Sequence, residues 1–455
     1  MSGAPTRAPV PLVCPRPATD PFAYGAPRGS GGGERVATVA DFLADVAALA
    51  ARLPERPYLV NLCTDRYRFT VGFGAALCRG QISLLPPQRT PDFLARLAAC
   101  FSGVYGLIDG GDAGPLDPVG YPGDLAAAAR APAVPAIAAA QVAAIAFTSG
   151  TTGEPTPHAK TWAELAGGAV AEAGALGLDR VAGAALVATV PPQHMYGFES
   201  SVLLALHNRL AMFGGRPFYP LDVRAALERV PAPRVLVTTP VHLRAIEIDA
   251  VRLPPLALVL SATAPLPPEA AARAERRHEA PVYEIFGFTE AGMVAYRRTT
   301  AGPDWRLLPG VSIRTAGETR WAEGGHVPAP ARFADLIDLV DAKRFVLRGR
   351  ASDVVNIAGK RASLAGLHAQ LLAIPGVVDG AYYLPQDDGH AVPRLAAFVV
   401  APALTRRRLL AELRRRVDPA FLPRPLHIVG ELPRNATGKL TLDGLRRLAA
   451  ERAKR

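Results

Sequence analysis

The sequence predicts an α/β protein in two parts: a large N-terminal domain of β-sheets packed with helices, residues 1–349, and a small C-terminal α+β domain, residues 350–455. Three observations carry this. Apolar residues recur at helical spacing between Asp41 and Leu53, and a short buried strand, Tyr58 to Leu62, follows. The runs Arg234 to Thr239, Leu256 to Ser261 and Val282 to Phe286 are short, apolar and bounded by Pro or Gly, as strands of a covered sheet are. After Arg350 the pattern tightens to strands near Val377 to Leu384 and Leu395 to Val400, then one amphipathic helix.

A chain of 455 residues with 49% apolar content can bury a large core. Its start, Met1 to roughly Arg35, mixes Pro and Gly with Ser30-Gly31-Gly32-Gly33 and is expected to be a loose arm. It lacks the basic-then-apolar order of a signal peptide. The longest apolar stretches are broken by Pro, Gly or charge, so no membrane insertion is expected and a cytoplasmic location is the default. Cys14, Cys63, Cys78 and Cys100 show no metal-ligand spacing and are expected as buried thiols. Ala113 to Pro135, rich in Pro, Gly and Ala, reads as a surface connection with a short helix.

The net charge of +11 is unevenly spread, because Ala401 to Arg455 holds 14 Lys and Arg against 5 Asp and Glu. In the amphipathic helix Leu409, Leu410, Leu413 and Val417 share one face, flanked by Arg406 to Arg408 and Arg414 to Arg416. Such a face is either merely solvated or complementary to an acidic partner. Nucleic acid is not expected, since no recognised DNA- or RNA-binding motif accompanies the charge.

The segment richest in chemistry is Thr148-Ser149-Gly150-Thr151-Thr152-Gly153, directly after the apolar run Ala143 to Phe147. Small hydroxyl residues and glycines let backbone N–H and side-chain O–H groups close around phosphate oxygens, which bulky side chains would block. The Walker spacing is absent, so this is not a P-loop ATPase signature, and taken alone the segment also fits an ordinary surface turn.

Three further segments follow in order: Glu284-Ile285-Phe286-Gly287-Phe288-Thr289-Glu290, then Gly349-Arg350-Ala351-Ser352-Asp353 running to Gly359-Lys360-Arg361, and Pro433-Arg434-Asn435-Ala436-Thr437-Gly438-Lys439. Together the four resemble the adenylate-forming superfamily of acyl-CoA synthetases, aryl-CoA ligases, luciferases and peptide-synthetase adenylation domains. The resemblance spans nearly the whole chain. It implies ATP and Mg²⁺ as cofactors, acyl-AMP formation with pyrophosphate release, and transfer to a phosphopantetheine thiol.

The resemblance also implies roles. Thr148 to Gly153 would hold the β- and γ-phosphates, Thr289 would donate to the α-phosphate, and Glu290 would anchor Mg²⁺. Phe286, beside Gly287, stands where relatives carry Tyr and would stack on adenine. Asp335 matches the aspartate that accepts from the ribose hydroxyls, although Phe333-Ala334-Asp335 departs from the usual Thr-Gly-Asp, and Arg350 would reach ribose or phosphate. Ser261, Ala262 and Thr263 occupy the place of the adenine loop, with two glycines replaced, and are counted among the substrate-binding residues. His194 and Tyr196, in a pocket-entry segment, would border the acid. Lys439 would bridge carboxylate and α-phosphate. Ser352 stands at the hinge about which the small domain rotates, and Gly359 would line the thiol channel.

Further details resemble hydroxybenzoate:acyl-carrier-protein ligases of aryl polyene and xanthomonadin-type pathways: Asn61-Leu62-Cys63-Thr64-Asp65-Arg66-Tyr67, Pro155-Thr156-Pro157-His158-Ala159-Lys160-Thr161-Trp162, and Ser261 to Leu266. They imply a small aryl carboxylic acid as substrate and an acyl carrier protein as partner. Two alternatives stay open, an acyl-CoA synthetase for aromatic or medium-chain fatty acids and a catalytically silent nucleotide-binding or carrier-docking protein.

Overall fold

The computed structural model describes residues 8–28, 33–87, 89–123, 125, 133–149, 155–181, 183–317, 319–350, 354–357, 360–385, 394–435 and 440–453. Its centre is an eleven-stranded sheet whose middle runs parallel through Pro21–Arg28, Ala211–Phe213, Ala185–Ala188, Arg234–Thr238, Leu258–Ser261 and Val282–Phe288. Antiparallel strands extend both ends, Gly33–Thr38 on one side and Gly292–Arg298 through Asp335–Leu339 on the other. A second sheet of six strands holds Tyr58–Asn61 between parallel neighbours Ile82–Leu85 and Tyr105–Ile108 and ends in the antiparallel hairpin of Val142–Ser149 with Pro155–Thr161. Helices fill the space between the sheets: Trp162, Phe73 and Phe198 pack together in the largest core cluster, with no exposure above 0%. The α/β class is therefore correct.

The small C-terminal part has a core of its own. Val355, Leu371, Val399, Leu409, Leu413 and Leu426 form one buried cluster, and Ala381, Phe398 and Leu445 anchor another. The helix Arg406–Arg414 buries Leu409 and Leu413 completely, with Leu410 and Val417 partly buried beside them and the arginines in solvent.

Three expectations need correction. The N-terminal arm is not loose over its described length: Val10–Pro11, Pro21–Arg28 and Gly33–Thr38 are strands, and Leu12 and Phe22 are fully buried. Pro and Gly at strand edges and bulges disguised them, and the register shifts near Ala23 and Ala26 are such bulges. Among the cysteines Cys63 is buried, Cys14 half-buried, and Cys78 and Cys100 exposed, the last two closing helices Arg66–Cys78 and Pro91–Cys100. Within the connection at 113–135, Asp117–Gly120 adds a parallel edge strand against Tyr105–Ile108.

Candidate functional site

The segment expected to hold phosphate follows one strand and precedes another. Thr148 sits opposite Thr156 and Ser149 opposite Pro155, so residues 150–154 connect two strands of a tight antiparallel pair. Gly150, Thr151, Thr152 and Gly153 themselves lie outside the described residues, as do Ser352, Gly359 and Lys439. Side chains two apart on a strand share a face, which aligns His158 and Lys160 along the re-entering strand. Thr148 Oγ1 and His158 Nε2 share a hydrogen bond of 3.0 Å. Burial pushes the His158 imidazole below its usual range, against the opposite pull of Glu290.

Thr289 and Glu290 form the turn between Val282–Phe288 and Gly292–Arg298, and this turn lies against the hairpin. Lys160 Nζ donates to the Glu290 backbone oxygen at 2.5 Å, and His158 Nε2 stands 3.9 Å from Glu290 Oε1. The Glu290 side chain remains 41% exposed while Lys160 is 5% exposed. The turn is held from its far end as well, because Glu199 Oε1 accepts from Met293 N–H at 3.2 Å. Two glycines make these approaches possible. At Gly287 a Cβ would stand 2.5 Å from the Gly292 oxygen, and at Gly292, with φ of +78°, it would stand 2.6 Å from Glu199 Oε1.

Phe286 belongs to an aromatic cluster with Phe288, Trp305, Phe333 and Phe345, and its ring lies nearly parallel to that of Phe333 with centroids 6.1 Å apart. Asp335 begins an edge strand and pairs in register with Arg350, which puts both at the border with the C-terminal part.

The acid-site candidates gather at the carboxyl ends of parallel strands, where ligands of such sheets bind. Tyr196 directs its hydroxyl at the carbonyl oxygens of Thr238 and Leu260, 2.9 and 3.0 Å away, and burial raises its pKa well above the usual value. Next to it, Thr189 and Thr238 share a hydrogen bond of 3.0 Å and Thr239 Oγ1 meets His242 Nδ1 at 2.9 Å. Burial lowers the His242 pKa to about 4, so this ring is neutral. His194 caps the short helical turn Met195–Gly197 that carries Tyr196. Arg66, fully buried, steadies the strand end that leads into this segment by donating to the carbonyls of Ala188 and Val190 at 3.1 and 2.7 Å and to Ser201 Oγ at 2.5 Å.

Ser261 and Thr263 carry the clearest signs of a ligand. Both hydroxyl oxygens are buried and lack a partner among the described residues. Thr263 also holds φ at +80°, a left-handed conformation that a β-branched residue adopts only under strain.

Near the turn lie two acids, Glu172 fully buried and Glu199 half-buried. Glu172 accepts from Ser200 Oγ at 2.6 Å, and burial raises its pKa to about 8; burial raises that of Glu199 to about 7. Sequence reading assigned no role to His158, Lys160, Glu172 or Glu199. The signal for the first two was the alternation Thr156, His158, Lys160 on a strand leaving the phosphate loop; the acids, on helical segments, carried none.

A family model described as AMP-binding enzyme matches residues 85–328, more than half the chain. The chain belongs to that family of adenylate-forming acid–thiol ligases. Over 307 residues it is 32% identical to a 4-coumarate–CoA ligase of Halorhodospira halophila, covering 64% of this chain and 73% of the relative. A 4-coumarate–CoA ligase of Rhodobacter capsulatus is 30% identical over 271 residues, covering 60% of this chain and 66% of the relative. In fold the chain is similar to O-succinylbenzoate coenzyme A synthetase from Bacillus subtilis in complex with ATP and magnesium ion, with a TM-score of 0.75 at 19% identity, covering 90% and 95% of the two chains.

Proposed function

We propose that this ligase adenylates an aryl carboxylic acid with ATP, releases pyrophosphate, and passes the acyl group to a phosphopantetheine thiol, with an acyl carrier protein as the acceptor. The observation that carries the reading is the contact of the Thr289–Glu290 turn with the hairpin that bears the phosphate loop, through Lys160 and His158. It brings a hydroxyl, a carboxylate and the ends of a glycine-rich loop to one place.

The donor set fits Mg²⁺. Glu290 offers a half-exposed hard oxygen beside the ends of the glycine-rich segment, as an ion held by one carboxylate and nucleotide oxygens requires. When bound, such an ion neutralises charge on the phosphates. Residues 148–153 would grip the β- and γ-phosphates, Thr289 would donate to the α-phosphate, and Phe286 and Asp335 would orient adenosine. Lys439 would offset repulsion as the substrate carboxylate attacks the α-phosphorus and the bond to pyrophosphate breaks. The thiol sulfur then attacks the acyl carbon, AMP leaves, and the thiol proton passes to solvent. Gly359 would flank that approach after rotation about Ser352.

An aryl acid is supported by the two curated relatives, both named for 4-coumarate, and by the Tyr196 and His242 rings beside the strand ends. Ser261 and Thr263 supply hydroxyls for a polar edge of adenylate or acid. The same relatives, named as CoA ligases, favour a second reading in which free CoA is the acceptor. The basic helix Arg406–Arg414 supports the carrier protein, whose acidic helix it complements.

The test is pyrophosphate release with hydroxybenzoates, cinnamates, fatty acids and amino acids, followed by CoA or holo-carrier protein with the best acid. Aryl-acid activity with carrier preference is expected. A fatty-acid optimum would remove the aryl reading, preference for CoA would remove the carrier, and no release with any acid would remove adenylation. Lys439→Ala is expected to lower adenylation by about 10²–10³-fold with ATP binding kept.

A further inference from the structure

Lys160 is nearly completely buried, yet the described hydrogen bond of its ammonium goes to a backbone oxygen, and the carboxylates whose charge favours it, Glu164, Glu199 and Glu290, stand beyond ion-pair distance. Withdrawing an ammonium from water costs several kcal/mol, and an apolar side chain of similar length would serve packing better. The atom it meets belongs to Glu290, at the apex of the turn proposed to face the nucleotide.

We propose that Lys160 is a positioning residue that clamps the Thr289–Glu290 turn to the phosphate-loop hairpin and so sets the productive placement of Mg²⁺-bound ATP. This rests on the adenylation reading and extends it to a residue with no role so far. The clamp works through geometry. Lys160 stands on Pro155–Thr161, the strand by which the chain leaves the phosphate loop, and in register with Ala144 of the strand by which it enters. Its bond to the Glu290 carbonyl uses the main chain, which leaves the carboxylate directed outward with 41% exposure. From the opposite side Glu199 grips Met293 N–H, so the turn is tied at one end to the hairpin and at the other to the helical run that carries Tyr196. A turn fixed at both ends cannot drift from the loop ends when the phosphates arrive.

The test uses Lys160→Met in the full chain, with calorimetric ATP binding in the presence and absence of Mg²⁺, the Mg²⁺ dependence of pyrophosphate release, and the melting temperature without nucleotide. Loss of a hydrogen bond from a charged group predicts ATP affinity with Mg²⁺ and the Mg²⁺ midpoint each worse by about tenfold or more. ATP affinity without Mg²⁺ should change little, and the melting temperature should hold or rise because a buried charge is gone. Unchanged Mg²⁺ dependence of ATP binding would overturn the clamp. Lys160→Leu, which likewise lacks an N–H donor, replaces Lys160→Met under the same criterion if the latter does not fold. If wild-type protein binds Mg²⁺ and ATP but releases no pyrophosphate, adenylation alone falls and the binding arm still judges the clamp; if wild-type protein binds no ATP, both fall.

Discussion

Arg434 grips Asp379 with two parallel contacts, Nε to Oδ2 at 2.8 Å and Nη2 to Oδ1 at 2.7 Å, across 55 positions of sequence. Asp379 opens the strand Asp379–Tyr383 of the C-terminal part, while Arg434 forms a bridge with Leu440 and thereby closes the base of the segment that contains Lys439. Both side chains are about four-fifths buried, at 19% and 22% exposure. A fork-to-fork pair of this kind fixes direction as well as distance.

Asp379→Asn should therefore act on Lys439 at a distance. The loss of charge from the pair is expected to destabilise the C-terminal part by about 1–3 kcal/mol. Adenylation should fall more than ATP binding, since the nucleotide candidates sit on the N-terminal sheets. Pyrophosphate release and ATP calorimetry on the same protein check this; an equal fall in both would disconnect the pair from Lys439.

Glu172 and Glu199 predict a dependence of stability on pH. Glu172 has its pKa raised from 4.5 to about 8, so between those values the folded chain keeps a proton that the unfolded chain has released. That contribution is fully present below 4.5 and is lost as pH rises through about 8. One retained proton gives a falling slope of about 1.4 kcal/mol per pH unit. Glu199, raised to about 7, adds in the same direction over its own window. Above about pH 6.5, where the buried His207 and His242, neutral in the fold, no longer oppose the trend, denaturant unfolding should show stability falling towards alkaline pH, and Glu172→Gln should flatten the slope. A slope unchanged by Glu172→Gln would mean that this carboxyl ionises normally.

Much of the candidate site could be picked out in the sequence because its residues come as contiguous strings. Apolar runs bounded by Pro or Gly predicted the strands Arg234–Thr238 and Val282–Phe288, and the Thr289–Glu290 turn follows the latter directly. Lys160 and Glu199 were not legible for the opposite reason. Each acts on the turn from a separate part of the chain, 130 and 94 positions away in the two hydrogen bonds, and polar residues in a strand or helix read as solvated until packing buries them. The N-terminal strands were missed because Pro21, Gly25 and Pro27 look like loop residues; in the fold they flank the parallel pairing made by Ala23 and Tyr24 and lie where the pairing with Gly33–Thr38 is bulged.

Thr263 joins strain to an unpaired hydroxyl, so stability and activity should separate there. Thr263→Gly releases the φ of +80° and removes a buried oxygen without a described partner. Even after the extra backbone entropy of glycine, stability should hold or rise by about 1 kcal/mol. Affinity for the acid or ATP should fall, because the lost hydroxyl is the group available to a ligand. Paired melting and Michaelis measurements decide this: a stabler variant with unchanged KM for both substrates would leave the hydroxyl without a binding role.

At Gly359 the demands of a turn and of a channel must be distinguished. Ile357 pairs with Lys360, so positions 358 and 359 alone connect the strands Val354–Ile357 and Lys360–Ser363. Two-residue hairpin connections favour glycine for conformational reasons that have nothing to do with a thiol. Gly359→Ala and Gly359→Leu share any backbone penalty and differ in bulk. If the segment lines the thiol approach, both variants should keep acid-dependent pyrophosphate release, while thioester formation should fall much further with Leu than with Ala. Equal loss in the two variants would assign Gly359 to the hairpin turn, and equal damage to both half-reactions would count against separate conformations for adenylation and thioester formation.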